Sequence, residues 1–462
     1  MATKLIIGRE DIQNGAGLCI MGNQYNRISF GRFDMLSNHT DNKNWIPNSA
    51  IVKGAVSLMR LGLTNYQDMS DMMESSSLFK DIVGYHVSPE TFRQRFNFLA
   101  KEENISQIVD DLVCQSIDKR FIKTRIINGV EYYVLHIDVT PFEDSDSKKE
   151  GIGYTYKGFV GFSPIMAYIG DHSLALELRP GTQHSENGAV DFLKRCFSML
   201  EKIGIPLDRV IVVCDSAHDA EDFIKCCLSK NVHFIIARNP RREDSRYLKL
   251  NTFDNYKKLG VDPIVDKDNC TKDYFCTTKD FNRINEYKNS YYAIFRFRVT
   301  YTYKDTHSLL ELQDQPVETK SYWTDLAPIL NNGEIDQIST AELYIEEYKK
   351  HATSEQFHGE IKTDLNAELL PSHYFATNKL YLQLLAIAFN LNRNIGDEAL
   401  EIDQRFQHHK NGKVERIRMR TVIDKILNVA CKVIRHAHNL VIKFGRNCLY
   451  FDTIKAIYQR TL

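Results

Sequence analysis

The segment RVIVVCD, ending at Asp215, constrains this chain most. Its apolar run is unbroken, as suits a strand buried on both faces, and an acid closes it. Strand and helix signals alternate around it. YYVLHIDV, Tyr132 to Val139, is rich in β-branched and aromatic residues and reads as a strand with Asp138 near its end. YTYKGFVGFSPIMAYIG, with Gly158, Gly161 and Pro164, reads as an interrupted or bulged strand, and LALELRPG as a third strand closed by a turn. Val190, Leu193, Phe197 and Leu200 recur at helical spacing between Glu186 and Gly204. A helix from about Ala220 to Lys230 and the buried strand VHFIIAR complete the series.

The resulting order is strand, strand, strand, helix, strand, helix, strand. This is the layout of an α/β ribonuclease-H-like fold, whose mixed sheet carries one acid on its first strand, another at its fourth and a third on a later helix. In open α/β sheets ligands gather beyond the carboxyl ends of the strands, where Asp138 and Asp215 are both expected. Between Arg238 and Tyr344 stand about a hundred residues with strand signals such as YYAIFRFRVTYTY and SYWTDL, which read as an inserted β-rich subdomain. The expected organisation is a helical N-terminal DNA-binding region over 1–125, the first part of the catalytic core over 126–240, and the β-rich insertion over 241–340. The last part of the core, with the Glu helix, comes next over 341–397, and then a basic helical region over 398–462.

The third acid comes from a stretch read as one helix. At about 100° per residue, Tyr348, His351, Glu355 and Lys362 fall within roughly 60° of one another, a polar stripe shared by His358 and Gly359. Gly359 would let a phosphate backbone approach closely. Each acid has an ordinary reading as well: Asp138 could begin a turn, Asp215 with Ser216 could cap a helix, and a charged helix face is commonly just solvated. Three carboxylates brought together repel one another unless cations hold them. Oxygen-only ligands select hard cations, so Mg²⁺ or Mn²⁺ is expected, as two ions about 3.5–4 Å apart serving an in-line phosphodiester displacement. Asp138 is the expected bridging ligand.

Composition excludes other classes. Hydrophobic content of 43% with 26% charged residues describes a globular chain whose 462 residues suggest about three domains. The start, MATKLIIGRED, lacks a signal-peptide pattern, and the apolar stretch from Leu380 to Leu391 is too short to span a bilayer, so it is expected to be a buried helix. Ten cysteines occur without a C-x-x-C pair, which points to a reducing cytoplasm and neither a zinc site nor a disulfide framework. Net charge is only −1, so contact with nucleic acid must come from local patches.

Several segments resemble bacterial insertion-sequence DDE transposases, specifically the family numbered thirteen-eighty of the IS-four clan. They are VLHIDVT, YTYKGFVGFSPIMAYIGDHSLALELRPGTQH, VVCDSAHDAEDF and YKKHATSEQFHGEIKTDLN followed by LPSHYFATNKLYLQLLAIAFNLNRN. The family signature of Tyr, two residues, Arg, three residues, Glu, six residues, Lys is matched by Tyr348, Glu355 and Lys362 and departs at His351, where Arg is usual. The resemblance implies metal-dependent cut-and-paste transposition: water cleaves a phosphodiester at each element end, and the freed 3′-hydroxyl attacks target DNA. It further implies that Asp138, Asp215 and Glu355 are catalytic and bind metal, while Tyr348, His351 and Lys362 hold DNA phosphates. Arginine is always charged and forks onto phosphate, whereas histidine is largely neutral near pH 7, so His351 is expected to grip phosphate weakly and His351→Arg to preserve or raise cleavage.

Three other features bear on DNA. Ser88-Pro89-Glu90 opens a helix that carries Arg93, Gln94, Arg95 and Asn97 between Phe92, Phe96 and Phe98. After TNYQDMSDMM it reads either as the second half of a helix-turn-helix for DNA-end recognition or as ordinary amphipathic packing. From Lys410 to Lys443, the cations Lys413, Arg416, Arg418, Arg420, Lys425, Lys432 and Arg435 outnumber Glu415 and Asp424, suggesting helices with a basic face for DNA backbone or a partner protomer. His408-His409 and the pair His436 and His438 read as surface or phosphate-contacting residues. Trp323 is expected in the core of the insertion, with stacking on a flipped base as the alternative.

The expected partners are therefore double-stranded DNA, as element terminal repeats and target, and a second copy in a homodimer, since two ends need two active sites. No membrane is expected. Two rival readings are a stand-alone nuclease of the same fold, which nicks without joining, and an inactive relative that only binds DNA.

Overall fold

The computed structural model describes residues 10–36, 46–239, 264–266, 269–278, 284–287, 290–302, 317–409, 412–436 and 439–462. Lys410, His438, the side chain of His409, and residues 241–263 and 303–316 of the expected insertion lie outside the described residues. The chain divides into two compact units: Met1–Ile122 with Val139–Gln183 and Gln356–Leu462, and Lys123–Asp138 with His184–Glu355.

The second unit is built on a sheet. Its elements are β1 (Thr124–Ile127), β2 (Val130–Val139), α1 (Ala189–Ile203), β3 (Val210–Cys214), α2 (Glu221–Ser229), β4 (His233–Ala237), β5 (Ile264–Asp266), β6 (Asn269–Thr278), β7 (Tyr292–Thr302), β8 (Val317–Thr324), α3 (Gln337–Lys349) and the start of α4 (Thr353–Gly359). Within this unit the strands run in the order β5-β6-β7-β8-β4-β3-β2-β1. β2, β3 and β4 are mutually parallel, with Leu135 opposite Val212 and Val213 opposite Ile235. These are the first, fourth and fifth strands of the expected series, side by side as a ribonuclease-H-like arrangement requires.

β1 joins β2 through Asn128 and Gly129, both at positive φ (51° and 76°), the tight turn whose twist matches an antiparallel pair. The strands expected to form an inserted subdomain instead continue this sheet. β8 pairs antiparallel with β4, placing Tyr322 opposite Ala237 and Trp323 opposite Ile236. An unpaired β4 would expose a row of backbone donors and acceptors, and β8 satisfies them.

Alternation along the strands divides the core in two. Val134, Ile211, Val213, Ile235, Ile294 and Tyr322 share one face and pack against Ala341, Tyr344 and Ile345 of α3. Leu135, Ile137, Val212, Cys214, Phe234 and Ile236 point the other way and are buried too. There the Cys214 thiol is pushed well up by burial, then by Asp215 and by Cys227 of α2. α1 buries Phe192, Leu193, Phe197 and Leu200 and ends at Gly204, whose φ of 80° closes the last turn without steric cost.

The first unit is mainly helical. Helices Asn48–Arg60, Pro89–Leu99 and Ile105–Ser116 pack on Phe375–Ile402, a 28-residue helix that carries the apolar stretch from Leu380 to Leu391. That stretch is buried along its length, as the sequence suggests. Among the described residues no helix is long and apolar enough to cross a membrane. Polar residues fix how this helix is seated: Arg393 Nη2 donates to Glu360 at 2.7 Å, and Arg60 Nε donates to Asn392 at 2.9 Å. Such buried pairs add little net stability, but each side chain would be costly left alone, so they select one register.

His172, in the hairpin Ile165–Ile169/His172–Glu177, is wholly buried. Asn394 donates through Nδ2 to Ser116, so its Oδ1 accepts, 2.9 Å away, from His172 Nε2. His172 Nδ1 is then unprotonated and, among the described residues, has no hydrogen-bond partner. Burial, aided by the Arg393 charge and only partly opposed by Asn394, lowers its pKa from 6.5 to about 4. The neutral ring favours the folded state, so this stabilisation is complete above about pH 6.5 and lost as pH falls towards 4. We expect the unfolding free energy from denaturant titrations to fall across that window by on the order of 3 kcal/mol at most, and His172→Gln to flatten the profile there. An unchanged profile in that variant would assign the acid sensitivity elsewhere.

Candidate active site

The parallel register of β2 and β3 decides where two of the acids stand. Ile137 lies opposite Cys214, so Asp138 and Asp215 are the next residue of each strand, level with one another on neighbours about 4.8 Å apart. Strand alternation puts Asp138 on the face of His136 and Asp215 on the face of Val213, the face covered by α3.

Asp215 does two local jobs. Its Oδ1 accepts from the Ala217 N–H at 3.1 Å, capping the short turn Ser216–His218, and lies 3.0 Å from Nδ1 of the fully buried His218 ring. Among the described residues His218 Nε2 has no partner, so the proton sits on Nδ1 and donates to Asp215. Both donors use the same oxygen, Oδ1, and the side chain is 45% exposed. Burial pushes the carboxyl up, but the His218 bond and charge, the Ala217 N–H and His351 outweigh it, and Asp215 is held below its ordinary range. It is therefore a fixed carboxylate, and among the described residues only its Oδ1 is hydrogen-bonded.

α3 brings in the aromatic groups. The Tyr348 ring lies 4.7 Å from Tyr322 and 5.9 Å from His351. Its hydroxyl pKa is raised by burial first, then by Tyr322, Cys214, Asp215 and Asp138, so it stays protonated and able to donate close to both aspartates. His351 differs from the sequence expectation. It is 8% exposed, and its Nδ1 lies 2.9 Å from Nδ1 of His136, which is 3% exposed. Burial lowers its pKa to about 4 against the opposing pull of Asp215. The ring is thus neutral, and its contact with His136 ties the turn after α3 to β2.

The polar stripe is also bent. α3 ends at Lys349, Lys350–Ala352 form a 3-10 turn, α4 comes next, and Glu360–Asp364 form a π turn closed by Leu365 N to Glu360 O. Three residues wound at about 120° instead of 100° rotate α4 by roughly 60°, so Glu355 no longer lies directly beneath Tyr348. Glu355 is exposed, and among the described residues its carboxylate makes no hydrogen bond or ion pair. Among the described residues no group of three or more His, Cys, Asp and Glu is close enough to hold a metal ion. The donor chemistry nonetheless fits a hard cation: Asp138 and Asp215 stand level, Asp215 offers an oriented carboxylate, and Glu355 is uncommitted.

Other expected contacts are engaged elsewhere. In the first unit, Lys362 Nζ donates to Pro141 O at 2.6 Å and pairs with Glu368 at 3.4 Å. His358 is buried against Tyr168, and a Cβ at Gly359 would meet nothing within 4 Å, so close packing does not require glycine there. Of the residues expected to read DNA ends, Arg95 is buried and bonded to Asn48, and Asn97 accepts from Thr377 at 2.8 Å. Arg93 and Gln94 both bond Glu90 at the surface. A separate helix, Ser77–Val83, stands between Tyr66–Ser75 and Pro89–Leu99, so these are not two helices joined by one turn. Packing accounts for Arg95 and Asn97, while Arg93 and Gln94 stay at the surface.

Trp323 is 2% exposed, donates through Nε1 to Asp219 at 2.9 Å and has Arg238 over its ring at 4.2 Å. Its ring is enclosed on the sheet face opposite Tyr322, so base stacking gives way to the core role. His136 and His218 were the residues not singled out from the sequence. Their signal was spacing: His136 is two before Asp138 on a strand, hence on its face, and His218 is three after Asp215, one turn on.

Comparison with known families gives a match to Transposase DDE domain group 1 over residues 34–244 and 317–461. The chain belongs to this family of DDE transposases. It is a DNA transposase, a metal-dependent enzyme of DNA strand cleavage and transfer. Among solved structures it is similar to the piggyBac transposase synaptic complex with hairpin DNA, at 11% identity and a TM-score of 0.39, over 96% of this chain and 80% of that one. Comparison with curated proteins finds no match.

For the transposase, the enclosed pair of histidines makes a definite forecast. An arginine at position 351 is larger than the buried imidazole and brings a permanent charge, so His351→Arg is expected to destabilise the fold by about 1–3 kcal/mol in denaturant melts. Unchanged stability would count against that enclosure.

Proposed function

We propose that Asp138, Asp215 and Glu355 are the catalytic carboxylates of an insertion-sequence transposase, and that they hold two Mg²⁺ or Mn²⁺ ions. The observation that carries this reading is the level placement of Asp138 and Asp215 at the ends of adjacent parallel strands, with only Oδ1 of Asp215 hydrogen-bonded among the described residues. Bound divalent ions would supply activation of the attacking oxygen and relief of charge on the leaving oxygen. The chain's own residues have separate tasks. His218 and the Ala217 N–H fix the Asp215 carboxylate, so no reorientation is needed when DNA binds. Tyr348, kept protonated, donates to a phosphate oxygen near the cleaved bond. Glu355 rides on a short helix after a 3-10 turn and closes on the aspartates, while Lys362 exchanges Pro141 O for a phosphate.

The same proposal extends to partners. The DNA is double-stranded, as terminal inverted repeats and then target, and two copies act together because two ends are processed in one event. The family numbered thirteen-eighty of the IS-four clan fits the Tyr348, Glu355 and Lys362 spacing. Such an enzyme works in a bacterial cytoplasm, on the nucleoid.

Asp138→Asn, Asp215→Asn and Glu355→Gln should each reduce nicking of a labelled element-end duplex by roughly three orders of magnitude or more, with unfolding midpoints little changed. Calorimetric Mn²⁺ binding should weaken in parallel. Full nicking by any one variant would remove that residue from the site. Nicking by the unaltered chain without joining to a supercoiled target would indicate a nuclease.

A further inference from the structure

The C-terminal stretch from Cys431 to Asn447 contains Lys432, Arg435, Lys443 and Arg446 and no Asp or Glu, in a chain whose net charge is −1. It folds as an antiparallel hairpin, Cys431–His436 with Asn439–Phe444, not as the helices expected from the sequence. Its register separates two faces. Cys431 with Phe444, Val433 with Ile442 and Arg435 with Leu440 form one face, and Lys432 with Lys443, Ile434 with Val441 and His436 with Asn439 form the other.

The first face is seated on the body of its unit at its Cys431 end, while Arg435 and Leu440 at the other end are exposed. Cys431 is buried, Cys431 and Gln13 exchange backbone hydrogen bonds, and Arg435 pairs with Asp81. The second face looks outward: Lys443, Val441, His436 and Asn439 are exposed and Lys432 is half-buried. On it Lys432 and Lys443 stand directly opposite one another. Like charges so placed destabilise a sheet, and a single exposed bond from Lys432 to Glu10, at 3.2 Å, offsets only one of them.

The neighbouring basic residues differ. Arg416 is tied to Glu360 and Arg418 to Asp364, both acids buried, so those cations are spent within the protein. In the lysine rung only Lys432 is engaged, by the exposed Glu10, and among the described residues Lys443 meets no acid. We propose that this outward face is a docking surface for the phosphate backbone of duplex DNA, with Lys432 and Lys443 as the contacting cations. A two-stranded ribbon is narrow enough to lie along the major groove, and two opposed lysines, one of them clear of described acids, complement phosphates on its rim. The contact positions DNA and carries no sequence preference. It rests on the reading of the chain as an enzyme of DNA and is separate from the carboxylate site.

The test uses the full-length chain and a fluorescent random-sequence duplex, titrated at several salt concentrations. Lys432→Ala/Lys443→Ala should weaken binding and reduce the slope of log affinity against log salt by about 2, while Lys432→Arg/Lys443→Arg keeps both. The unfolding midpoint should hold or rise, since a repulsive rung is removed. Wild-type affinity and slope in the alanine variant, with DNA still bound, would overturn the docking surface and leave the transposase reading intact. A change in sedimentation as an oligomer with the salt slope unaltered would overturn it in favour of a contact between copies. No DNA binding by the unaltered chain would overturn both.

Discussion

The parallel pairing of β2 with β3 is the constraint on which the candidate site depends. Because Ile137 and Cys214 are register partners, the next residue on each strand is fixed to the same level and the same face. A slip of one residue would turn Asp138 or Asp215 to the opposite face, where apolar residues pack. Val134, Ile211 and Val213 enforce the register, since they must face α3 to be buried. Core packing thereby sets a distance that chemistry uses.

Level carboxylates carry an electrostatic cost, and the surroundings offset it unevenly. Asp215 has a buried imidazole donor, a backbone donor and the nearby His351. Those groups also decide which oxygen is occupied. Orientation and ionisation are thus supplied by the same two hydrogen bonds, from residues two and three positions further along the chain. The His136–His351 contact performs a comparable mechanical task, tying the end of α3 to the strand that carries Asp138.

Much of this was legible in the sequence because burial leaves a periodic trace. RVIVVCD, YYVLHIDV and VHFIIAR announced parallel strands, and the acids closing two of them marked the candidate site. What escaped was set by contacts between distant segments. Whether β-rich residues make a separate body or extend a sheet depends on a partner for β4, which no local pattern encodes. The basic C-terminal stretch alternates cations with apolar residues closely enough to suit either helix or hairpin, and its seat beside Gln13 decides for the hairpin. Arg95 resembles a base-reading side chain until Asn48 and burial claim it. The extra twist at Lys350–Ala352 has no compositional marker, since the residues there suit an ordinary helix.

Glu355 and Glu360 show how context separates two glutamates only five residues apart. Glu360 is 2% exposed and held by Arg393 and Arg416, at 2.7 Å each. Removing it would strand two guanidinium groups, so its role is structural. Glu355 is exposed and bonded to nothing among the described residues, and its loss would leave no partner behind. A carboxylate of that kind is solvated, and nothing in the protein commits its oxygens. A 3-10 turn has poorer hydrogen-bond geometry than continuous helix, and it is retained where Tyr348 and His351 must pack on the sheet while the next segment is aimed differently. Loss of a decorative charge would alter neither metal affinity nor cleavage, whereas loss of a ligand alters both.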